Sequence, residues 1–105
     1  MRRPEIVERI RLALQATAPE AQAILYGSEA RGDARPDSDI DLLVLLPGEK
    51  RSLVEEDKVR APLYDIELET GVIISPYIVL KKTWENRPCP TPFSLNVQRD
   101  GVLLY

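Results

Sequence analysis

Residues 25–32 read LYGSEARG, and residues 37–44, after a short polar loop, read DSDIDLLV. Gly27-Ser28 directly follows an apolar, strand-like run from Ala23 to Tyr26, so a tight turn falls where a helix would begin. Unpaired backbone N–H groups at the start of a helix favour anions. The turn is therefore a candidate phosphate-binding site.

Two acids open the second apolar run. Asp39 directly precedes the run Ile40 to Leu46, and Asp41 is the second residue of that run. Residues two apart in a strand project from one face, with their Cα atoms roughly 6.6 Å apart. Two such carboxylates can hold one divalent cation, or two about 3.5 to 4 Å apart. Together with a phosphate-binding turn, they supply what phosphoryl or nucleotidyl transfer requires.

The kind of metal follows from composition. The chain has no histidine and one cysteine, Cys89, which excludes an internal disulfide and most zinc chemistry. An oxygen-preferring cation, Mg²⁺ or Mn²⁺, remains. Asp37-x-Asp39-x-Asp41 imitates the start of an EF-hand, but Leu42 and Gly48 occupy the positions where that loop needs Gly and Glu.

The ordered combination GSxARG at 27–32 and DxD at 39–41 resembles the minimal nucleotidyltransferase domain of the DNA polymerase β-like superfamily, a small form often paired with a HEPN-type protein. The resemblance implies an α+β fold, with a small mixed sheet of three or more strands and helices packed on one side. It also implies Mg²⁺-dependent transfer of a nucleoside monophosphate, expected to be AMP, from a nucleoside triphosphate to a hydroxyl of a protein or other acceptor.

Site roles follow from the resemblance residue by residue. Asp39 and Asp41 would be the catalytic metal ligands. Gly27 would let the backbone approach the triphosphate, and Ser28 would contact a phosphate oxygen. Arg31, one turn further on, either adds charge to the phosphates or pairs with an acid, Asp33 or Asp37; the sequence leaves both readings open. Tyr26, Asp33 and Asp37 are expected to be structural or to support the residues that contact the ligand.

One feature departs from the family pattern. A third carboxylate normally stands on the neighbouring strand, whereas the expected third strand, Val72 to Leu80, contains no acid, and Ser75 lies near the position in question. Asp65, Glu67 and Glu69 precede it on a predicted helix and are expected to be a solvated face. The alternative function is therefore a weakly active or inactive nucleotide-binding, antitoxin-like partner of a HEPN-type protein.

The spacing of apolar residues, together with residues that start or stop helices and strands, predicts the remaining elements. We expect helices from Pro4 to about Ala16, from Ser28 to Arg31, from Ser52 to Thr70, where Gly71 is a helix stop, and, capped by Thr91, from Pro92 to before Gly101. Pro62 predicts a kink or break near Ala61. Lys81 to Pro90, interrupted by Pro88, is expected to be a loop. Ile40 to Leu46 is predicted to be a central strand and Val72 to Leu80, with Pro76, an edge strand or irregular.

Size and charge bound the protein further. The 105 residues predict a single nucleotidyltransferase domain spanning residues 1–105. A net charge of −3 argues against a nucleic-acid partner. No leader or membrane span is visible, which predicts a cytoplasmic protein. The basic start is expected to be a solvated helix face; it comprises Arg2, Arg3, Arg9 and Arg11.

Aromatic and apolar residues give two last expectations. The aromatic side chains of the C-terminal part are expected in the core or in an interface more often than as base-stacking groups, and they are Tyr77, Trp84, Phe93 and Tyr105. In so short a chain, apolar helix faces are left for a protein partner or a second copy of the chain to cover.

Overall fold

The computed structural model of the protein describes residues 3–87 and 89–105. Arg2 of the basic start and Pro88 of the last expected loop lie outside the described residues. The elements in chain order are α1 (Pro4–Thr17), β1 (Gln22–Tyr26), α2 (Gly27–Arg31), β2 (Ile40–Leu46), α3 (Leu53–Thr70), β3 (Ile74–Leu80), α4 (Lys81–Glu85), α5 (Pro92–Asp100) and β4 (Val102–Leu103).

The strands form one mixed sheet in the order β3-β2-β1-β4. β2 pairs antiparallel with β1 and parallel with β3, while β1 also pairs antiparallel with the short β4. The predicted α+β class is confirmed. β2 is an internal strand, as its apolar run predicted. β3 lies at an edge of the sheet, as its Pro76 predicted.

The main core lies between the sheet and the two long helices. Alternate side chains of β2, including Ile40, Leu42 and Val44, point into it and are completely buried. Ile10 and Leu14 of α1 pack there, as do apolar residues of α3 such as Val59, Leu63 and Ile66. The predicted spacing of apolar residues along α1 therefore describes its buried face.

A second, smaller apolar cluster covers part of the opposite face. Leu43 and Leu45 of β2 contact Val97 of α5, with Phe93 and Trp84 packed against them. Helix α5 begins with a capping box between Thr91 and Ser94, as the predicted Thr91 cap anticipated. The long helices pack on one side as expected, and α5 adds a cover on the other.

Helix α3 runs unbroken through Pro62, so of the kink or break expected near Ala61 the break does not occur. Proline at this position cannot donate to the carbonyl of Lys58, four residues earlier. The Thr17 hydroxyl, at the end of α1, donates to that carbonyl at 2.7 Å. The packing of α1 against α3 thus replaces the hydrogen bond that Pro62 removes.

Other boundaries also differ from the expectation. Lys81 to Glu85 is helical instead of loop, and β4 was not predicted. Both are short and lack apolar periodicity. Glu67 is not part of a purely solvated face: it is half-buried and accepts a hydrogen bond from the Ile74 N–H at 2.7 Å, which anchors the start of β3. No helix in the described part of the chain is long and apolar enough to cross a membrane.

Candidate active site

The two sequence motifs meet on the face of the sheet opposite the main core. Tyr26, the last residue of β1, pairs with Asp41 of β2, so Gly27 begins α2 next to that carboxylate. Gly27 has φ +75°, and a Cβ built there would lie 2.6 Å from Asp41 Oδ2. Both the backbone conformation and the close approach therefore require glycine.

Asp39 and Asp41 form the charged centre of this site. Asp39 immediately precedes β2 and is exposed, whereas Asp41 is half-buried within the strand. Burial raises the pKa of the Asp41 carboxyl, and the neighbouring Asp39 charge raises it further. A carboxylate whose charge is disfavoured by burial and by a like charge gains from a nearby cation.

Ser75 occupies the position that faces this pair from β3. It lies opposite Asp41 in the parallel ladder, and its hydroxyl donates to Asp39 Oδ2 at 3.3 Å. Within residues 3–87 and 89–105, no group of three or more acidic, histidine or cysteine side chains is placed to hold a metal ion. The described residues thus offer two carboxylates and one hydroxyl.

Arg31 lies at the end of α2 and binds acids in this structure. Its Nε contacts Asp33 Oδ2 at 3.2 Å, and its Nη1 contacts Asp100 Oδ2 of α5 at 3.3 Å. Of the two acids that the sequence suggested, the ion pair forms with Asp33. The Arg31 charge also lowers the pKa of Asp41, opposing the effects of burial and Asp39. Positive potential from Arg31 therefore reaches the Asp41 carboxylate.

Glu29 is the acid that sequence reasoning missed. It is completely buried, although it belongs to the motif that carries Gly27 and Ser28. The backbone N–H and the Nε of Arg3 donate to its two oxygens at 2.7 and 2.6 Å. Arg3 is therefore not part of a solvated basic face. The pair fixes α2, and with it the turn at Gly27, against the start of α1.

Two further described residues of the basic start, Arg9 and Arg11, lie at the surface as expected. Arg9 pairs with Glu69 of α3 and Arg11 with Glu8, both at the surface. The buried ion pair of Arg3 with Glu29 joins residues 26 positions apart. Nothing in the sequence near either residue distinguishes this pair from the exposed ion pairs of Arg9 and Arg11.

Aromatic rings line the edge of the site. Phe93 of α5 contacts three other rings. Its ring centroid lies 5.3 Å from those of Tyr26 and Tyr77 and 5.9 Å from that of Trp84. Burial raises the pKa of Tyr26, and the Asp41 charge adds to that rise. Tyr105 instead packs against the main core and donates to the Ala18 carbonyl at 2.9 Å. Trp84 and Phe93 are half-buried, while Tyr77 is exposed.

The donor set fits a hard divalent cation. Two carboxylate groups on one sheet face, with Ser75 beside them, are oxygen donors of the kind that Mg²⁺ and Mn²⁺ accept. Mg²⁺ takes few protein ligands and keeps waters or substrate phosphates for its other positions. The pKa of Asp41 is raised mainly by burial and then by the Asp39 charge, and a bound cation would offset both effects.

A mixed sheet with a glycine turn beside paired carboxylates defines the class of this protein. The pattern of the nucleotidyltransferase domain family matches residues 7–89, and the chain belongs to that family. It is also 40% identical over 81 residues to a Methanocaldococcus jannaschii protein named "Putative protein adenylyltransferase", an alignment that covers 77% of this chain and 75% of the relative. The protein is therefore a nucleotidyltransferase-family enzyme.

Two solved structures share the fold. A crystal structure of a toxin–antitoxin with AMP-PNP superposes with a TM-score of 0.65 at 18% identity, covering 94% of this chain and 72% of that one. A mutant of the toxin–antitoxin MntA-HpeT gives a TM-score of 0.64 at 16% identity, with the same coverage. At this level of identity the likeness concerns the fold alone.

Proposed function

We propose that this protein transfers AMP from ATP to a hydroxyl of a protein acceptor, with Mg²⁺ or Mn²⁺ held by Asp39 and Asp41. The observation that carries the proposal is the contact between the two motifs: Gly27 lies against Asp41 at a distance that leaves no space for a side chain. The family membership and the adenylyltransferase name of the Methanocaldococcus relative support the same reaction.

Each residue has a defined part in the proposed reaction. The Gly27 turn admits the phosphates, and Ser28, half-buried in the first turn of α2, contacts a phosphate oxygen. Arg31 adds positive potential near Asp41 while Asp33 and Asp100 hold its side chain. A bound cation would neutralise and align the phosphates beside the two carboxylates.

The chemical step is an in-line displacement at the α-phosphorus. The acceptor oxygen bonds to that phosphorus, the bond to the α,β-bridging oxygen breaks, and pyrophosphate leaves. The proton of the acceptor hydroxyl passes to water. Ser75 donates to Asp39 at 3.3 Å and so keeps this carboxylate turned toward β3.

The alternative is a nucleotide-binding, antitoxin-like subunit with weak or no transfer. The presence of Ser75 opposite Asp41, where the family resemblance leads us to expect an acid, favours it. In this reading a HEPN-type protein, or a second copy of the chain, covers exposed apolar side chains such as Leu12, Tyr64 and Leu68. The site then binds the triphosphate without passing on its nucleotide.

Label transfer separates the two functions. The purified protein, alone and with a HEPN-type partner, is incubated with α-labelled ATP and Mg²⁺. We expect label on a protein hydroxyl, reduced about a thousandfold in Asp39→Asn/Asp41→Asn, because loss of the carboxylates removes several kcal/mol of charge stabilisation. Asp37→Asn, which changes a nearby exposed acid, is the matched control.

The outcomes are distinct. Label transfer by the wild type that the double variant abolishes supports the enzyme. Mg²⁺-dependent ATP binding without transfer supports the antitoxin-like alternative. If the double variant binds ATP as tightly as the wild type, the assignment of Asp39 and Asp41 is wrong.

A further inference from the structure

An aromatic cavity lies on the sheet face that carries Asp41. It has a volume of about 340 Å³, and the rings of Tyr77, Trp84 and Phe93 line it together with Val79. This volume is at the lower end of the roughly 300 to 1,000 Å³ typical of small-ligand sites. Such a cavity holds a flat ring more readily than an extended chain.

Its position relative to the carboxylates follows from the sheet register. Tyr77 and Val79 follow Ser75 along one face of β3, and Asp41 pairs with Ser75 and Leu43 with Tyr77. The cavity therefore begins about 6.6 Å along the strands from the level of Asp41. Gly27 lies on the other side of Asp41, at the end of β1. A ligand that spans both features passes Asp41.

The cavity also offers polar groups. Thr83 and Thr91, whose side chains carry hydroxyls, are among its lining residues. The Thr91 oxygen accepts from the Ser94 N–H, which leaves its hydroxyl proton free to donate. Arg87 lies over the Trp84 ring, 4.3 Å from its centroid, and adds a positive charge. Aromatic faces, hydroxyl donors and a cation suit a base attached to phosphates.

We propose that this cavity binds the nucleobase of the triphosphate whose phosphates lie at Gly27 and the Asp39–Asp41 pair. The proposal rests on the proposed nucleotide site. A base is joined to the α-phosphate through one ribose, a reach that matches the separation of Tyr77 from Asp41. An acceptor side chain is the competing occupant, and the experiment separates the two. Aromatic stacking of a base is sequence-tolerant, while the two threonine hydroxyls would add preference.

Comparison of ATP with inorganic tripolyphosphate tests the base contact directly. Each is titrated with Mg²⁺ by calorimetry and by tryptophan fluorescence, because Trp84 is the only tryptophan of the chain and lines the cavity. We expect ATP to bind about five- to 100-fold more tightly than tripolyphosphate. ATP, and not tripolyphosphate, should change the Trp84 emission.

Variants of exposed tyrosines supply the matched control. Tyr77 and Tyr64 are 52% and 60% exposed, and Tyr64 lies on α3 outside the cavity. We expect Tyr77→Ala to weaken ATP binding about fivefold or more and to leave tripolyphosphate binding unchanged. Tyr77→Phe, which retains the ring, and Tyr64→Ala should both bind ATP like the wild type.

Failure of this inference differs from failure of the nucleotide site. The base pocket is wrong if ATP and tripolyphosphate bind equally, or if Tyr77→Ala matches Tyr64→Ala, while Asp39→Asn/Asp41→Asn weakens both ligands. A Tyr77→Ala defect confined to the Michaelis constant of the acceptor would assign the cavity to the acceptor instead. If neither ATP nor tripolyphosphate binds, the nucleotide site and the base pocket are both wrong.

Discussion

The two faces of the sheet differ in what they bury, although the same strand, β2, contributes to both. Toward α1 and α3 it presents side chains such as Leu42 that are completely buried in the main core. Toward the other face it presents Asp41, which is half-buried, with the exposed Asp39 just before it. Because successive side chains of a strand point to opposite faces, one residue of β2 stabilises the core while the next belongs to the candidate site. Substitutions at adjacent positions should therefore have opposite effects.

The largest stability effect is expected on the core face. Leu42→Ala removes a completely buried side chain and should lower the free energy of unfolding by about 2 to 5 kcal/mol. Urea unfolding measures the change. The control is Leu68→Ala on α3, where the leucine is 67% exposed and truncation should cost little. Equal losses in the two variants would contradict the assignment of Leu42 to the core.

Ser75→Asp tests the chemical face in the opposite direction. A third carboxylate opposite Asp41 should raise Mn²⁺ affinity roughly tenfold, because the charge of the ligand set increases. Calorimetry measures the affinity, and Ser75→Asn, similar in size and uncharged, is the control. Label transfer that increases with the added acid would show that the missing carboxylate limits the wild type. Identical affinities in the two variants would exclude Ser75 from the site.

Gly27→Ala should affect both stability and binding. An L side chain at φ +75° costs about 1 to 2 kcal/mol, and the added methyl meets Asp41 Oδ2. Gly71→Ala is the matched control, since its φ is +73° and nothing lies within 4 Å of the added atom. Both variants should lose stability in urea unfolding, but only Gly27→Ala should weaken Mn²⁺ and ATP binding. Unchanged binding would place Asp41 outside the metal site.

Asp41→Asn gives the smallest expected change, and its sign depends on pH. The folded protein raises the pKa of this carboxyl, mainly through burial and then through Asp39, so ionisation disfavours the folded state. Without divalent cations, the wild type should lose stability relative to the variant as pH rises from the ordinary value of 3.8 through the raised pKa. The variant should therefore melt at a higher temperature at neutral pH.

Thermal unfolding across this range measures the Asp41 effect, and Asp37→Asn should follow the wild-type curve because that residue is exposed in a loop. Mg²⁺ should raise the melting temperature of the wild type more than that of Asp41→Asn. A variant that melts below the wild type at neutral pH without Mg²⁺ would refute the argument that burial and repulsion disfavour the charged form.

Local chemistry made much of the fold predictable. The apolar run of β2, the Thr91 cap and the Gly71 stop of α3 agree with their predicted places. Elements without a periodic signal were missed: α4 is five residues long and β4 only two. The break expected at Pro62 does not occur, because the Thr17 hydroxyl of α1 donates to the carbonyl that the missing N–H of Pro62 leaves unpaired. The sequence around Pro62 does not show this contact.

The candidate site divides in the same way. Gly27, Ser28, Asp39 and Asp41 could be selected from spacing because they lie within 15 residues along the chain, and the structure places Gly27 and Asp41 side by side. Glu29, Asp100 and the aromatic cavity could not, because their contacts join segments far apart in sequence. Arg31 could be predicted only in part. The sequence left its role open between phosphate binding and pairing with a nearby acid, and the fold adds Asp100 as a partner.

The sequence by itself determined the order of the longer elements, the two motifs and the oxygen-donor character of the proposed metal site, because each depends on residue type and local spacing. Tertiary structure alone decided that β3 runs parallel to β2 with Ser75 opposite Asp41, that Arg3 anchors Glu29, and that an aromatic cavity lies on the sheet face that carries Asp41. These features depend on which distant segments pack together, and no local pattern encodes that choice.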